Sequence, residues 1–299
     1  MSEWALKSRK WITRLALIWL TRLIRLFSLI VPYWLGVRAG GVLGLVAYYL
    51  LPRERTRANT HLTLAFPEKD RIWIRHTARR CFIHLGKGML EIMLITPRRL
   101  EQIIEIRGEE ALNTAVGIGK GVIYVTGHIG NWEIMGHAVA ARYNLSVVAA
   151  PIEPEQVNDM IVGLRAGMGV RTILRSRPGA SRELVRVFKE NRIMGILIDQ
   201  DTDVESAFVD FMGRPAWTPT AAASMALKFG APVIFGYVQR NKDNKHIITI
   251  EGPLELLHSG DREKDIRANT AMLTKKMEDA IRRNPEQWVW MHRRWRRQP

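Results

Sequence analysis

The sequence is poor in several things that other functions need. Its 299 residues hold one cysteine, Cys81, which excludes an internal disulfide framework and any multi-cysteine metal site. Acids are scarce beside bases: 29 Asp and Glu face 45 Lys and Arg, a formal net charge of +16. There is no internal repeat, low-complexity tract or long Gly/Ser linker, so a solenoid and a tethered string of modules are both excluded. No stretch supplies the ~18 uninterrupted apolar residues of a clear membrane-spanning helix. The longest charge-free runs, 26–37 and 39–52, are split by Arg38.

What is present is apolar and basic. An apolar fraction of 47% with ten tryptophans excludes a disordered chain. Arginine outnumbers lysine 33 to 12, so the surplus is mostly guanidinium, the group suited to phosphate and carboxylate. Such a balance calls for an anionic partner: nucleic acid, a phospholipid surface or an acidic soluble substrate. The first sixty residues carry ten bases and two acids, Glu3 and Glu54, and are also the most apolar part of the chain. Residues 4–31 read as one helix in which Lys7, Lys10, Arg14 and Arg25 share an arc opposite Leu15, Ile18, Trp19, Leu26 and Ile30. Pro32 ends or bends it. A basic stripe beside an apolar body suits a helix lying on or shallowly in an anionic leaflet, with spanning as the minority option; an amphipathic helix packed on its own domain is the plainer alternative. A secretory leader is not expected, because the apolar region is long, broken by Arg and without a small-residue cleavage site. The expected organisation is a membrane-associated helical region over 1–52 and a catalytic domain over 53–299.

Helices are expected over 53–66 and 68–95, parted by Pro67. Beyond Pro97 the pattern changes to short β-rich runs at 103–108, 121–127, 146–150, 171–175, 192–199, 232–238 and 246–252. Helical stretches alternate with them near 109–117, 131–143, 155–167, 180–190 and 218–229, and a long amphipathic one spans 261–283. That alternation implies an α/β fold with a mixed, largely parallel sheet flanked by helices.

The stretch GVIYVTGHIGNWEIMGHAVAA, 121–141, is the most informative. A strand ends at Gly127, His128 stands at its carboxyl end, and Asn131 is a good N-cap for the helix that follows. Ligands of open α/β sheets bind beyond the carboxyl ends of strands, which places chemistry at His128. Glu133, one helical turn on, can fold back to one ring nitrogen and leave the other to take a proton. With no serine or cysteine placed as a nucleophile, the pair suits direct transfer, in which His128 deprotonates a hydroxyl that attacks an activated acyl group. A histidine that merely hydrogen-bonds in a βα turn is the competing reading of this spacing alone.

HIGNWE resembles the His-x4-Asp/Glu box of glycerolipid and lipid A acyltransferases. The resemblance is nearest to the bacterial lipid A (lauroyl/myristoyl) acyltransferase family. RANTHLTLAFPE at 57–68, GILIDQDTD at 195–203, FVDFMGRPAWTPTAAASMALKFGAPVI at 208–234 and PEQWVWMHRRW at 285–295 agree in order and spacing. The resemblance covers roughly 15–295 and implies a membrane-associated enzyme that needs no metal or bound cofactor. It would move a fatty acyl chain from acyl carrier protein, or coenzyme A, to a hydroxyl of a lipid A precursor or similar glycolipid. It further implies His128 as base and Glu133 as its orienting acid, with Asn131, Arg165, Asp199, Gln200 and Asp201 as substrate-binding positions. The implied location is a bacterial inner membrane with the catalytic domain cytoplasmic. A lysophospholipid or phosphatidylinositol-mannoside acyltransferase is the alternative of the same chemistry; a basic membrane- or nucleic-acid-binding protein is the non-enzymatic one.

The residues also read without the resemblance. Asp199 and Asp201 follow an apolar strand, where they face the cleft of His128 and orient a hydroxyl acceptor, or else cap the next loop. Arg165, late in its helix, suits an acceptor phosphate or a thioester oxyanion, or else a solvated face. Gly213 and Pro215 read as a turn, and Thr218–Pro219 as an N-cap and first helical residue. His137 reads as packing. Trp288, Trp290 and Trp295 among Arg293, Arg294, Arg296 and Arg297 read as an interface belt; the same mixture suits single-stranded nucleic acid. Acids at 133, 199 and 201 argue against a phosphate-backbone groove.

Overall fold

The computed structural model describes residues 31–175 and 177–299; the helix expected over 4–31 lies almost wholly outside them. Three helices come first: α1 (Tyr33–Leu50), α2 (Pro52–Ala65) and α3 (Arg71–Leu94). Asp70 caps α3 by accepting the backbone N–H of Trp73. A short α4 (Pro97–Ile103) leads into the α/β body.

That body follows the expected alternation: β1 (Ile104–Arg107), α5 (Glu109–Gly117), β2 (Val122–Thr126), α6 (Trp132–Ala140), β3 (Leu145–Ala149), α7 (Glu155–Gly167), β4 (Arg171–Leu174), α8 (Ala180–Lys189) and β5 (Ile193–Leu197). Next come β6 (Ser206–Phe211), β7 (Arg214–Pro219), α9 (Ala221–Phe229), β8 (Val233–Arg240), β9 (His246–Glu251) and α10 (Arg262–Arg283). Seven strands form one sheet in the order β1-β9-β8-β2-β5-β3-β4. Only β8 and β9 pair antiparallel; the other neighbours are parallel. The central strands are apolar runs because helices cover both faces. One face packs Val122, Tyr124 and Ile193 against Leu112 of α5 and Met135 and Val139 of α6. The other packs Ile123, Val125, Met194 and Ile196 among α2, α3, α8, α9 and α10.

Two stretches depart from the expectation. Residues 206–219, where only a turn at Gly213 and Pro215 and a helix start at Thr218–Pro219 are expected, form the hairpin β6–β7. Met212 and Gly213 carry its bend with φ of 57° and 75°, the positive pair that two-residue hairpins need. Thr218 is therefore a fully buried strand residue rather than an N-cap, and the helix begins at Ala221. The tail is only partly exposed: Arg293 and Arg296 face solvent, but its tryptophans turn inward. Trp288, Trp290 and Arg294 are fully buried. Arg294 donates to the Trp217 carbonyl and the Thr218 hydroxyl, and its ring neighbour is Phe211.

Helices α1 and α3 meet backbone to backbone. A β-carbon at Gly44 would lie 2.2 Å from the Phe82 carbonyl oxygen, and one at Gly86 2.2 Å from that of Gly40. The opposite side of α1 is exposed and apolar, with Trp34, Val42, Leu43, Tyr49 and Leu50 each more than half exposed. Among the described residues no single helix is long and apolar enough to cross a membrane; α1 and α2 meet at a 92° bend.

Candidate active site

Parallel pairing decides which acid meets His128. Thr126 on β2 is level with Leu197 on β5, so the residues two places beyond each, His128 and Asp199, leave the sheet side by side. Gly127 permits the approach, since a β-carbon there would stand 2.9 Å from Asp199 Oδ2. Gly130 is needed twice: its φ is +61°, and a β-carbon would lie 2.1 Å from the Val238 carbonyl oxygen.

Asp199 is fully buried and accepts three donors. His128 Nδ1 lies 2.8 Å from Oδ1; the His128 backbone N–H and Trp288 Nε1 reach Oδ2 at 2.7 and 2.8 Å. Burial alone would raise its pKa, but the charge and hydrogen bonds of His128 hold it far below the carboxylate range. An ionised carboxylate only accepts, so Nδ1 carries a proton, and in the neutral imidazole Nε2 is left as the free base. The Gln200 amide nitrogen sits 3.1 Å from His128 Nε2 and 2.6 Å from His292 Nε2. Its two N–H groups thus serve two imidazole acceptors. Burial, then the neighbouring His128, lowers His292 to about 4, which keeps it neutral and able to accept.

Glu133 does not orient His128. The start of α6 carries it toward α7, where Arg165 Nε and Nη2 clamp its two oxygens at 2.9 and 2.5 Å, and Trp132 Nε1 reaches it at 3.2 Å. Burial opposes its ionisation, yet the Arg165 hydrogen bonds and charge hold its pKa low. Sequence adjacency suggested Glu133; strand register supplies Asp199.

Asn131 is buried and structural. Its oxygen caps the Ile134 N–H and its amide donates to Glu91 and the Gly88 carbonyl. Glu91, also fully buried, accepts both Arg240 guanidinium nitrogens and His246 Nε2, so one carboxylate ties α3 to β8, β9 and the cap of α6. Asp201 turns away from the cleft and binds Arg296 and Arg297 at 3.1 and 3.0 Å, anchoring the tail. Thus His128, Glu133, Arg165 and Gln200 share one site with Asp199 behind it, whereas Asn131 and Asp201 brace it. Trp288 and His292 were missed as site residues because the tail's aromatic–basic composition reads as surface. His137, read as packing in the core or at the surface, is core.

An apolar cavity of about 470 Å³ opens at this site. His128, Trp132, Glu133, Arg165 and Gln200 stand among its lining residues. One lobe runs beneath α6, between Met135, Gly136 and Val139 and the strand residues Tyr124, Leu145, Val147 and Gly195. The other crosses the sheet edge to Leu184, Ala221 and Met225. Among the described residues no cluster of three or more His, Cys, Asp or Glu is placed to hold a metal ion.

The model of one family, the bacterial lipid A biosynthesis acyltransferases, matches residues 5–297. The chain belongs to that family. Among curated relatives of this family member, the lipid A biosynthesis lauroyltransferase of Escherichia coli is 24% identical over 303 residues, 98% of this chain and 94% of that one. The lipid A biosynthesis acyltransferase of Haemophilus influenzae is 25% identical over 283 residues, 92% and 86% of the two chains. The phosphatidylinositol mannoside acyltransferase of Mycobacterium tuberculosis is 27% identical over 142 residues, 46% of this chain and 44% of its own. The chain therefore matches less than half the length of that relative.

Burial of three histidines should make the fold sensitive to acid. His84, His137 and His292 are pushed down by burial to about 3, 4 and 4. Each stays neutral in the fold and gains a proton on unfolding, so the unfolded chain binds more protons between about pH 6.5 and 4. Stability should fall across that window as pH drops, by about 1.4 kcal/mol per pH unit for each histidine. Asp199 and Glu133, held low in the fold, keep their contribution until more acidic pH. Denaturant midpoints at pH 7.5 and pH 5 check this; equal midpoints would contradict it.

Proposed function

We propose that this chain transfers a fatty acyl group from a thioester, on acyl carrier protein or coenzyme A, to a hydroxyl of a lipid A precursor or similar anionic glycolipid. The observation that carries the reading is His128 Nε2, backed by buried Asp199, at an apolar cavity suited to an acyl chain. The acceptor hydroxyl displaces the Gln200 amide from Nε2 and gives Nε2 its proton as its oxygen attacks the thioester carbon. The C–O bond forms, the C–S bond breaks, and His128 returns the proton to the leaving sulfur. Arg165, steered by Glu133, offers positive charge to the oxyanion. The apolar face of α1, the basic surplus and the names of the relatives support work at an anionic membrane, with the catalytic domain on the cytoplasmic side of an inner membrane.

The test is incubation of the purified full chain with labelled acyl carrier protein and coenzyme A thioesters and a panel of acceptors. Acylation of a lipid A precursor is the expected result. Acylation of phosphatidylinositol mannoside alone would move the acceptor to the mycobacterial relatives' class, and thioester hydrolysis without transfer would sink the reading.

A further inference from the structure

The lobe beneath α6 exists because side chains are missing where a parallel sheet normally fills its layer. Tyr124 on β2, Gly195 on β5 and Val147 on β3 are level neighbours. Gly195 leaves the middle of this row bare, about 7 Å inside the strand end at Leu197. A β-carbon there would stand 3.1 Å from Val147 Cγ1 and 3.5 Å from Leu145 Cδ1, two side chains of the lobe's wall. Gly136 bares the facing side of α6: a β-carbon on it would meet only Leu145, at 4.0 Å.

Tyr124 could refill the gap, but it lies the other way, over Gly236 on β8. A β-carbon on Gly236 would fall 1.8 Å from the Tyr124 hydroxyl oxygen and 2.2 Å from Cζ. The phenol is buried and rests against Met135, 3.6 Å from Sδ. Any side chain on Gly236 must therefore displace the ring, and the free space beside it is the lobe over Gly195.

We infer that Gly195 sets the length of the acyl chain this site accepts, and that Gly236, which does not line the cavity, acts with it by parking Tyr124 outside the chain's path. The inference rests on the acyl-transfer reading above and adds which lobe holds the chain and which residues limit it.

The test uses the full chain and two readouts. One is calorimetric binding of non-hydrolysable acyl-pantetheine ethers of graded length; the other is kcat/KM with the matching thioesters. Gly195→Ala should shorten the limit, with a loss of about tenfold or more for the longest chain the unchanged protein takes, the scale of a methylene misfit. Chains ending above Gly195 should lose less than about threefold. Gly236→Ala should shift the limit the same way through Tyr124. Leu145→Ala, which removes bulk from the wall, should shift it toward longer chains and keeps the test decisive if a glycine variant proves too unstable to purify. Equal losses at every length would overturn the inference. So would a limit moved by Met225→Ala, in the other lobe, but by neither glycine variant. A shifted binding limit without any transfer by the unchanged protein would leave the ruler standing and defeat the acyl-transfer reading instead.

Discussion

His128→Ala should lower kcat by about 10³-fold or more, toward the upper range of general acid–base catalysis. Among the described residues, no other group sets an imidazole lone pair at the cavity with a buried carboxylate behind the ring. Asp199 is buried and ionised with both oxygens engaged by donors, Glu133 is clamped by Arg165, and His292 does not line the cavity. The imidazole is partly exposed and lies outside the main apolar clusters, so its removal should leave the fold intact. Binding of acyl-pantetheine ethers should survive, because the apolar lobes are untouched. Steady-state kinetics with calorimetry separates the two effects, and residual transfer above a tenth of the original rate would exclude His128 as the base.

Asp199→Asn should cost about 10³-fold in kcat, nearly as much, for a reason that volume does not explain. The Oδ2 position receives both the His128 backbone N–H and the Trp288 indole N–H, so the amide must place its oxygen there. Its NH₂ then faces Nδ1, which must give up its proton to accept. The proton moves to Nε2, and the base is lost with its geometry intact. Nitrogen NMR of the imidazole reads the tautomer directly. Glu133→Gln, by contrast, keeps the tautomer and weakens only the hold on Arg165; its loss should be about tenfold. If Glu133→Gln costs more than Asp199→Asn, the acid adjacent in sequence is the orienting one after all.

Much of the fold was legible from local pattern alone. The central strands of the main sheet follow apolar runs, because a strand covered on both faces has no polar side to show, whereas the edge strand β1 alternates and exposes Glu105 and Arg107. The helices fall between those runs, where capping residues and turns allow. The bend at Gly213 was legible, but the strands on either side of it escaped, because β7 carries Pro215 and Pro219, poor strand residues, and Thr218–Pro219 reads as a helix start. The tail escaped for a related reason. Its arginines look like surface until Asp201, Asp203 and the buried carbonyl of Trp217 are seen to bind them.

The single cysteine did its work early, removing disulfide scaffolds and multi-cysteine metal sites. Sequence alone determined the α/β class and put His128 at the end of a strand, because hydrophobic period and a Gly–His–x–Gly–Asn turn are local properties. It could not choose the partner of His128. That choice depends on Thr126 lying level with Leu197 across 71 residues of chain, a fact of strand register that no local signal encodes. Asn131, Asp201 and the Glu91–Arg240 pair likewise took their structural roles from contacts made only when distant segments close on one another. The accepted chain length is of the same kind: glycines on three different elements leave one space empty together.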